Sequence, residues 1–160
     1  MRYRNEARTK VAGIHSAHEA MIRILDHTAD VGFEIRASSV EALFDEARLA
    51  LLMTVFEEPP KEGKDEDSVR LSAPDLETLL VRWINELVFL IQGDGFVPVR
   101  ADARIQETDE GGFSLEARLA GAPLELEVYG WQGEIKSATF HGLDVTKEGE
   151  DWRAQVILDV

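Results

Sequence analysis

The hydrophobic period of this chain changes partway along, and that change limits the folds open to it. Leu76, Leu79, Leu80, Trp83, Ile84, Leu87, Val88 and Ile91 recur at helical spacing and predict a helix with one continuous apolar stripe. Ser72 and Pro74 mark its start, and Gly93 or Gly95 ends it. Arg82, Asn85, Glu86 and Gln92 fall off the stripe. From Val97 onward the period is two. Val97, Val99, Ala101, Ala103 and Ile105 alternate with Pro98, Arg100, Asp102, Arg104 and Gln106. After the turn Asp109-Glu110-Gly111-Gly112, Phe113, Leu115, Ala117 and Leu119 alternate back, which predicts a hairpin.

The flanking segments extend this pattern. Val40, Leu43, Phe44, Ala47, Leu51 and Val55 predict a first helix near residues 39–56, stopped by Pro59-Pro60. Its start reads as a capping box, Ser38-Ser39-Val40-Glu41, with Ser38 accepting from the backbone and Glu41 reaching back. The charged stretch from Glu57 to Asp67 reads as a solvated loop. Strands are expected at Ile22–Thr28 and Phe33–Ala37, paired with each other. Further strands are expected at Leu124 to Val128, around Ala138 to Val145, and from Trp152 to Val160 after a turn at Gly149. Two helices among hairpin-rich strands give an α+β fold, the helices packed on a largely antiparallel sheet.

A chain of 160 residues is expected to form one compact domain. The domain is read as residues 21–160. Residues 1–20 are polar, hold Arg2, Arg4, Arg8 and Lys10, and are read as a flexible or adventitious extension. They lack the apolar run of a signal peptide, and no window is apolar enough to span a membrane. The expected compartment is the cytoplasm. The chain has no cysteine, which excludes a thiolate zinc site and a thiol nucleophile. A net charge of −14 opposes direct nucleic-acid binding and favours cations and basic partners.

Two acidic sites stand at opposite ends of the domain. One is Asp26-His27-Thr28-Ala29-Asp30; the other is Asp159-Val160, where the given sequence stops. If the fold joins them, their oxygen atoms suit Ca²⁺ or Mg²⁺ better than zinc. Against this stands an Asx-type turn with Asp30 bonding local amides, and a frayed, solvated chain end. Trp152, Ala154, Val156, Leu158 and Val160 are expected to share one face of the last strand, which would hold that end in place. His27 could serve as a base or simply as a hydrogen-bonding residue. Lys136, in Glu134-Ile135-Lys136, either meets a phosphate or balances acidic charge; His141 is a further candidate. Gly93-Asp94-Gly95 lacks the lysine and following helix of a phosphate loop, and no serine sits in a nucleophile elbow.

At these residues the chain resembles the archease family. The resemblance covers about residues 21–160. It rests on His27-Thr28-Ala29-Asp30, Trp83-Ile84-Asn85-Glu86-Leu87, Glu134-Ile135-Lys136-Ser137-Ala138-Thr139-Phe140-His141, and the ending Val156-Ile157-Leu158-Asp159-Val160. It implies a small acidic protein that assists an RtcB-type RNA ligase in tRNA splicing and RNA repair. Such a protein promotes guanylylation and repeated turnover of the ligase and is not itself a catalyst. It also implies a bound divalent metal, typically calcium, held by Asp30, Asp159 and Val160, and an important lysine at Lys136. The chain departs from the family at Gly121-Ala122-Pro123-Leu124-Glu125-Leu126, where the family commonly has Gly-Glu and then Asp and Arg-His. Two other readings stand beside this one. One is a metal-dependent phosphoesterase using the same carboxylates, with Lys136 on phosphate. The other is a chaperone-like modulator of another RNA-processing enzyme, such as a tRNA methyltransferase.

Overall fold

The computed structural model describes residues 21–26 and 30–160. In chain order the elements are β1 (Met21–Asp26), β2 (Asp30–Ala37), α1 (Val40–Val55), β3 (Asp65–Ala73), α2 (Leu76–Gln92), β4 (Phe96–Glu107), β5 (Phe113–Pro123), α3 (Leu126–Tyr129), β6 (Ser137–Glu148) and β7 (Asp151–Asp159). The fold is α+β, as expected. The strands form two antiparallel sheets rather than one. Four lie in the order β1-β2-β7-β6, and three in the order β3-β5-β4. Strand alternation tells which face is buried, not which strands pair, so sequence pattern alone could not divide the sheets.

Both long helices touch strands of both sheets. Their apolar girth is correspondingly wide. On α2, Leu79, Leu80, Val81, Trp83, Ile84, Leu87, Val88, Leu90 and Ile91 are all buried, more than one face of an amphipathic helix requires. Phe33, Ile35, Ala154, Val156 and Leu158 come in from the four-stranded sheet; Val69, Leu115, Ala117, Leu119 and Val97 come in from the other. Two buried polar contacts lock this packing. Trp83 Nε1 donates to the Phe44 carbonyl at 2.9 Å, joining the helices. Arg48 Nη1 donates to the Pro98 and Val99 carbonyls at 3.0 and 2.8 Å, where β4 bulges between Pro98 and Arg100.

The helix starts differ from the sequence reading by small steps. Ser39, not Ser38, caps α1, its hydroxyl accepting from the Ala42 amide at 3.1 Å. Asp75, one residue past Pro74, caps α2 by accepting from the Thr78 amide at 2.7 Å. Such a cap contributes about 1 kcal/mol. The larger differences lie in two short-range patterns. The stretch expected to be loop through Asp67 already enters β3 at Asp65. Only Val69 and Ala73 of this edge strand are buried, so its charged residues hide the alternation, as charges on sheet edges commonly do. The segment at Leu124 to Val128 is not a strand. Leu126–Tyr129 forms one helical turn, ended by Gly130 in the left-handed conformation. Its alternation spans too few residues to outweigh the local Tyr129 amide bond to the Glu125 carbonyl at 3.0 Å. The departing stretch Gly121 to Leu126 is therefore the end of β5 and the entry to this turn. The expected extension over residues 1–20, and Thr28 at the end of the first expected strand, lie outside the described residues.

Candidate functional site

Strand register brings the two acidic ends together. Phe33 and Ile35 of β2, and Ala154, Val156 and Leu158 of β7, must all face the helices. A slip of one residue would turn every one of them outward. The register that satisfies both strands pairs Phe33 with Val156 and Val31 with Leu158, and so pairs Asp30 with Asp159. Directly opposed residues in an antiparallel pair project from the same face, with Cβ atoms about 4.5–5.5 Å apart. Asp30 and Asp159 thus sit side by side on the outer face of the four-stranded sheet, each half-buried. Gly32 permits the close approach of β7 at this point. A Cβ there would lie 2.7 Å from the Val156 carbonyl oxygen and 2.8 Å from Ile157 Cδ1.

The third arm arrives from β6. Ser137 pairs with Asp159 from the side opposite Asp30, and the Lys136 amide donates to the Asp159 carbonyl at 2.8 Å. Lys136 itself is exposed. Helix α2 fixes this segment through two polar side chains that the sequence places off its apolar stripe. Gln92 donates through Nε2 to the Ile135 carbonyl at 2.7 Å and accepts from the Ile135 amide at 2.8 Å. Asn85 Oδ1 accepts from the Ala138 amide at 2.6 Å. Asn85 and Gln92 are seven residues apart, two turns, and so share one flank of the helix. That spacing, two amide side chains two turns apart on a helix otherwise largely buried, was the available signal.

The remaining expected site residues are placed as follows. Val160 lies beyond the last residue of β7 and is 42% exposed, so it does not continue the buried face of Trp152, Ala154, Val156 and Leu158. The strand ladders end at Asp159. His27 falls outside the described residues. His141 is exposed in a wide bulge of β6: Thr139 pairs with Ile157 and Asp144 with Gln155, leaving residues 140–143 opposite Val156 alone. Gly142, at φ 67°, turns this bulge against Ile157, which is why Ile157 is buried although it points outward.

The donor chemistry at Asp30 and Asp159 is that of a hard cation site. Like charges directly opposite across a strand pair are destabilising, and a divalent ion between them would relieve this. Calcium takes six to eight oxygens, so two carboxylates leave most of the shell to other donors. Among the described residues no group of three or more His, Cys, Asp or Glu side chains converges on one point. A larger open groove, of about 780 Å³, lies elsewhere, on the outer face of the three-stranded sheet; Glu66, Asp102, Arg100 and Arg118 line it. Its charges alternate in sign along the paired strands, so they offset one another, and its size does not make it the better site.

A family model described as the Archease protein family (MTH1598/TM1083) matches residues 23–160. Proteins named archease are similar over most of their length. That of Methanosarcina mazei is 34% identical, the match covering 85% of this chain and 93% of the relative. That of Methanosarcina barkeri is 35% identical with the same coverage, 85% and 93%. The solution structure of Methanobacterium thermoautotrophicum protein 1598 shares the fold at a TM-score of 0.73 and 28% identity, covering 87% of this chain and 98% of that one. The crystal structure of a Thermotoga maritima archease, described as a possible chaperone, shares it at a TM-score of 0.55 and 23% identity, covering 85% and 94%.

Proposed function

Because this chain belongs to the archease family, we propose that it is a non-catalytic cofactor of an RtcB-type RNA ligase in tRNA splicing and RNA repair, promoting guanylylation and repeated turnover of the ligase. The observation that supports this reading most is the register pairing Asp30 with Asp159. It unites two acidic segments far apart in sequence, with Lys136 joined to Asp159 by a main-chain bond. A pair of like charges held on one face serves no purpose in stability. It suits a site completed by a cation or a partner.

In this reading Asp30, Asp159 and an oxygen of Val160 hold a divalent ion, Ca²⁺ first and Mg²⁺ second. Bound there, the ion would supply a positive centre able to neutralise carboxylate and phosphate oxygens. The chain's own part is positional. The β2–β7 pairing fixes both aspartates, while Gln92 and Asn85 hold the segment carrying Lys136. Its ammonium, exposed at the end of that segment, can meet a phosphate or carboxylate of the partner. The acidic surface would speed encounter with a basic, RNA-binding partner.

The test is a multiple-turnover RNA ligation assay with the ligase of the same organism, with and without this protein. The expected result is many product molecules per ligase with the protein and about one without. Equal yields would overturn the proposal. The protein alone, offered phosphodiesters, should release no product.

A further inference from the structure

Among the described residues, Phe89 and Phe140 are the aromatic side chains left largely in water, 58% and 62% exposed. They flank Lys136. Phe89 lies one turn beyond Asn85 and just short of Gln92, on the helix flank those two residues press against Ala138 and Ile135. Lys136 falls between those two anchored residues. Phe140 follows two residues after Ala138 and opens the β6 bulge. Val160, 42% exposed, adjoins from the Asp159 side of the same segment.

Exposed phenylalanines are costly to leave in water, about 25 cal/mol for each Å² of apolar surface, and large apolar side chains at a polar rim are a mark of contact surfaces. The rim is acidic. Asp94 and Glu134 are exposed, and Glu86 is half-buried on the same helix. Aromatic knobs within an acidic rim fit a protein surface that offers an apolar recess ringed by Lys and Arg.

We infer that the α2–β6 flank carrying Phe89 and Phe140 is a docking surface, and that its occupant is the basic, RNA-binding ligase. The inference rests on the ligase reading and adds to it residues that hold the partner beside the segment carrying Lys136. The aromatics act on affinity, the carboxylates and lysine on what the bound partner does. Acidic-rim contacts should raise the association rate and make it salt-dependent.

The experiment measures binding of full-length protein to the ligase by calorimetry, and stimulated ligation as a function of protein concentration. Phe89→Ala/Phe140→Ala is compared with the unsubstituted protein and with Arg104→Ala on the far sheet. Both phenylalanines are exposed, so the double variant should keep its melting temperature. The expected result is an affinity loss of roughly tenfold or more, in the range of a contact hot spot. Full stimulation should return at saturating concentration, and Arg104→Ala should behave like the unsubstituted protein. Unchanged affinity in the double variant overturns the docking surface and leaves the ligase reading intact. If the unsubstituted protein neither binds nor stimulates the ligase, both fall. If sedimentation shows the unsubstituted protein as a dimer and the double variant as a monomer, the face belongs to a second copy and the inference is overturned.

Discussion

The two sheets treat charge in opposite ways. On the outer face of the three-stranded sheet, unlike charges oppose each other across strands. Arg118 pairs in register with Asp102, and Glu116 stands between Arg70 and Arg104. At one end of the four-stranded sheet like charges do oppose each other, Arg36 against Arg153, but each arginine is answered by a neighbouring carboxylate. Arg153 Nε meets Glu34 at 2.9 Å, and Arg36 meets Glu148 at 2.7 Å. At the other end of that sheet Asp30 opposes Asp159, and among the described residues no Lys or Arg side chain forms an ion pair with either. Exposed ion pairs contribute about 0–1 kcal/mol each, so the ordinary ladders say little about function. The aspartate pair is the informative place, because the fold keeps it without the opposite charges that answer Arg36 and Arg153.

The sharpest way to break this contrast is Asp30→Ala or Asp159→Ala. Ligase stimulation should fall tenfold or more, about 1.4 kcal/mol or above in free energy. The melting temperature without metal should hold or rise, since one of two repelling charges is gone. If melting and stimulation fall together, the aspartates belong with the structural ladders and the contrast disappears.

Gln92→Ala should come next. It leaves both main-chain groups of Ile135 without a partner, which costs about 1–3 kcal/mol for a group left unsatisfied. Chemical denaturation should show that loss. Stimulation should drop further than stability alone explains, because Lys136 loses its anchor. A variant destabilised to this degree but fully stimulating at saturation would separate the α2 clamp from the site.

Glu34→Gln at the other end of the sheet weakens a part-buried ion pair with Arg153; the amide oxygen can still accept from Arg153, so the cost should be on the order of 1 kcal/mol, and stimulation should be unchanged. A large functional loss here would show that the whole outer face acts, not one end of it.

The smallest effect concerns Glu46 on α1. Burial raises its carboxyl above the ordinary value of 4.5; neighbouring Asp45 adds to this and Arg48 opposes it. A carboxyl raised in the folded state binds protons more tightly there than in the unfolded chain. Stability is therefore greatest below 4.5 for this group, and its contribution is lost as pH rises through the raised value. Denaturation curves from pH 4 upward should show a shallow decline that Glu46→Gln removes. An unchanged slope in Glu46→Gln would assign the decline to other groups.

Much of this was legible in the sequence, and what was not has definite causes. The α2 stripe and the β4–β5 hairpin have long, regular periods, so both read correctly. β3 was hidden because an edge strand with only Val69 and Ala73 inside carries almost no alternation. The turn at Leu126 was misread because five alternating residues suit a strand as well as a helical turn. Asp30, Asp159 and Lys136 stood out by residue type and motif. Gln92 lay in no motif and Asn85 only inside one with no role assigned, because their work is done on main-chain groups more than forty residues away that no local pattern announces.

By itself, the sequence determined the two long helices, the β4–β5 hairpin and their buried faces, the acidic balance and the candidate residues for site chemistry, since these follow from local periodicity and side-chain type. Tertiary structure alone decided that the strands split into two sheets around a shared pair of helices. It also decided that β2 and β7 are neighbours, that their register sets Asp30 against Asp159, and that α2 holds Lys136 beside them. The physical reason is that strand pairing is a long-range choice. It is settled by which register buries the most apolar surface against the helices at once, and no single segment contains that information.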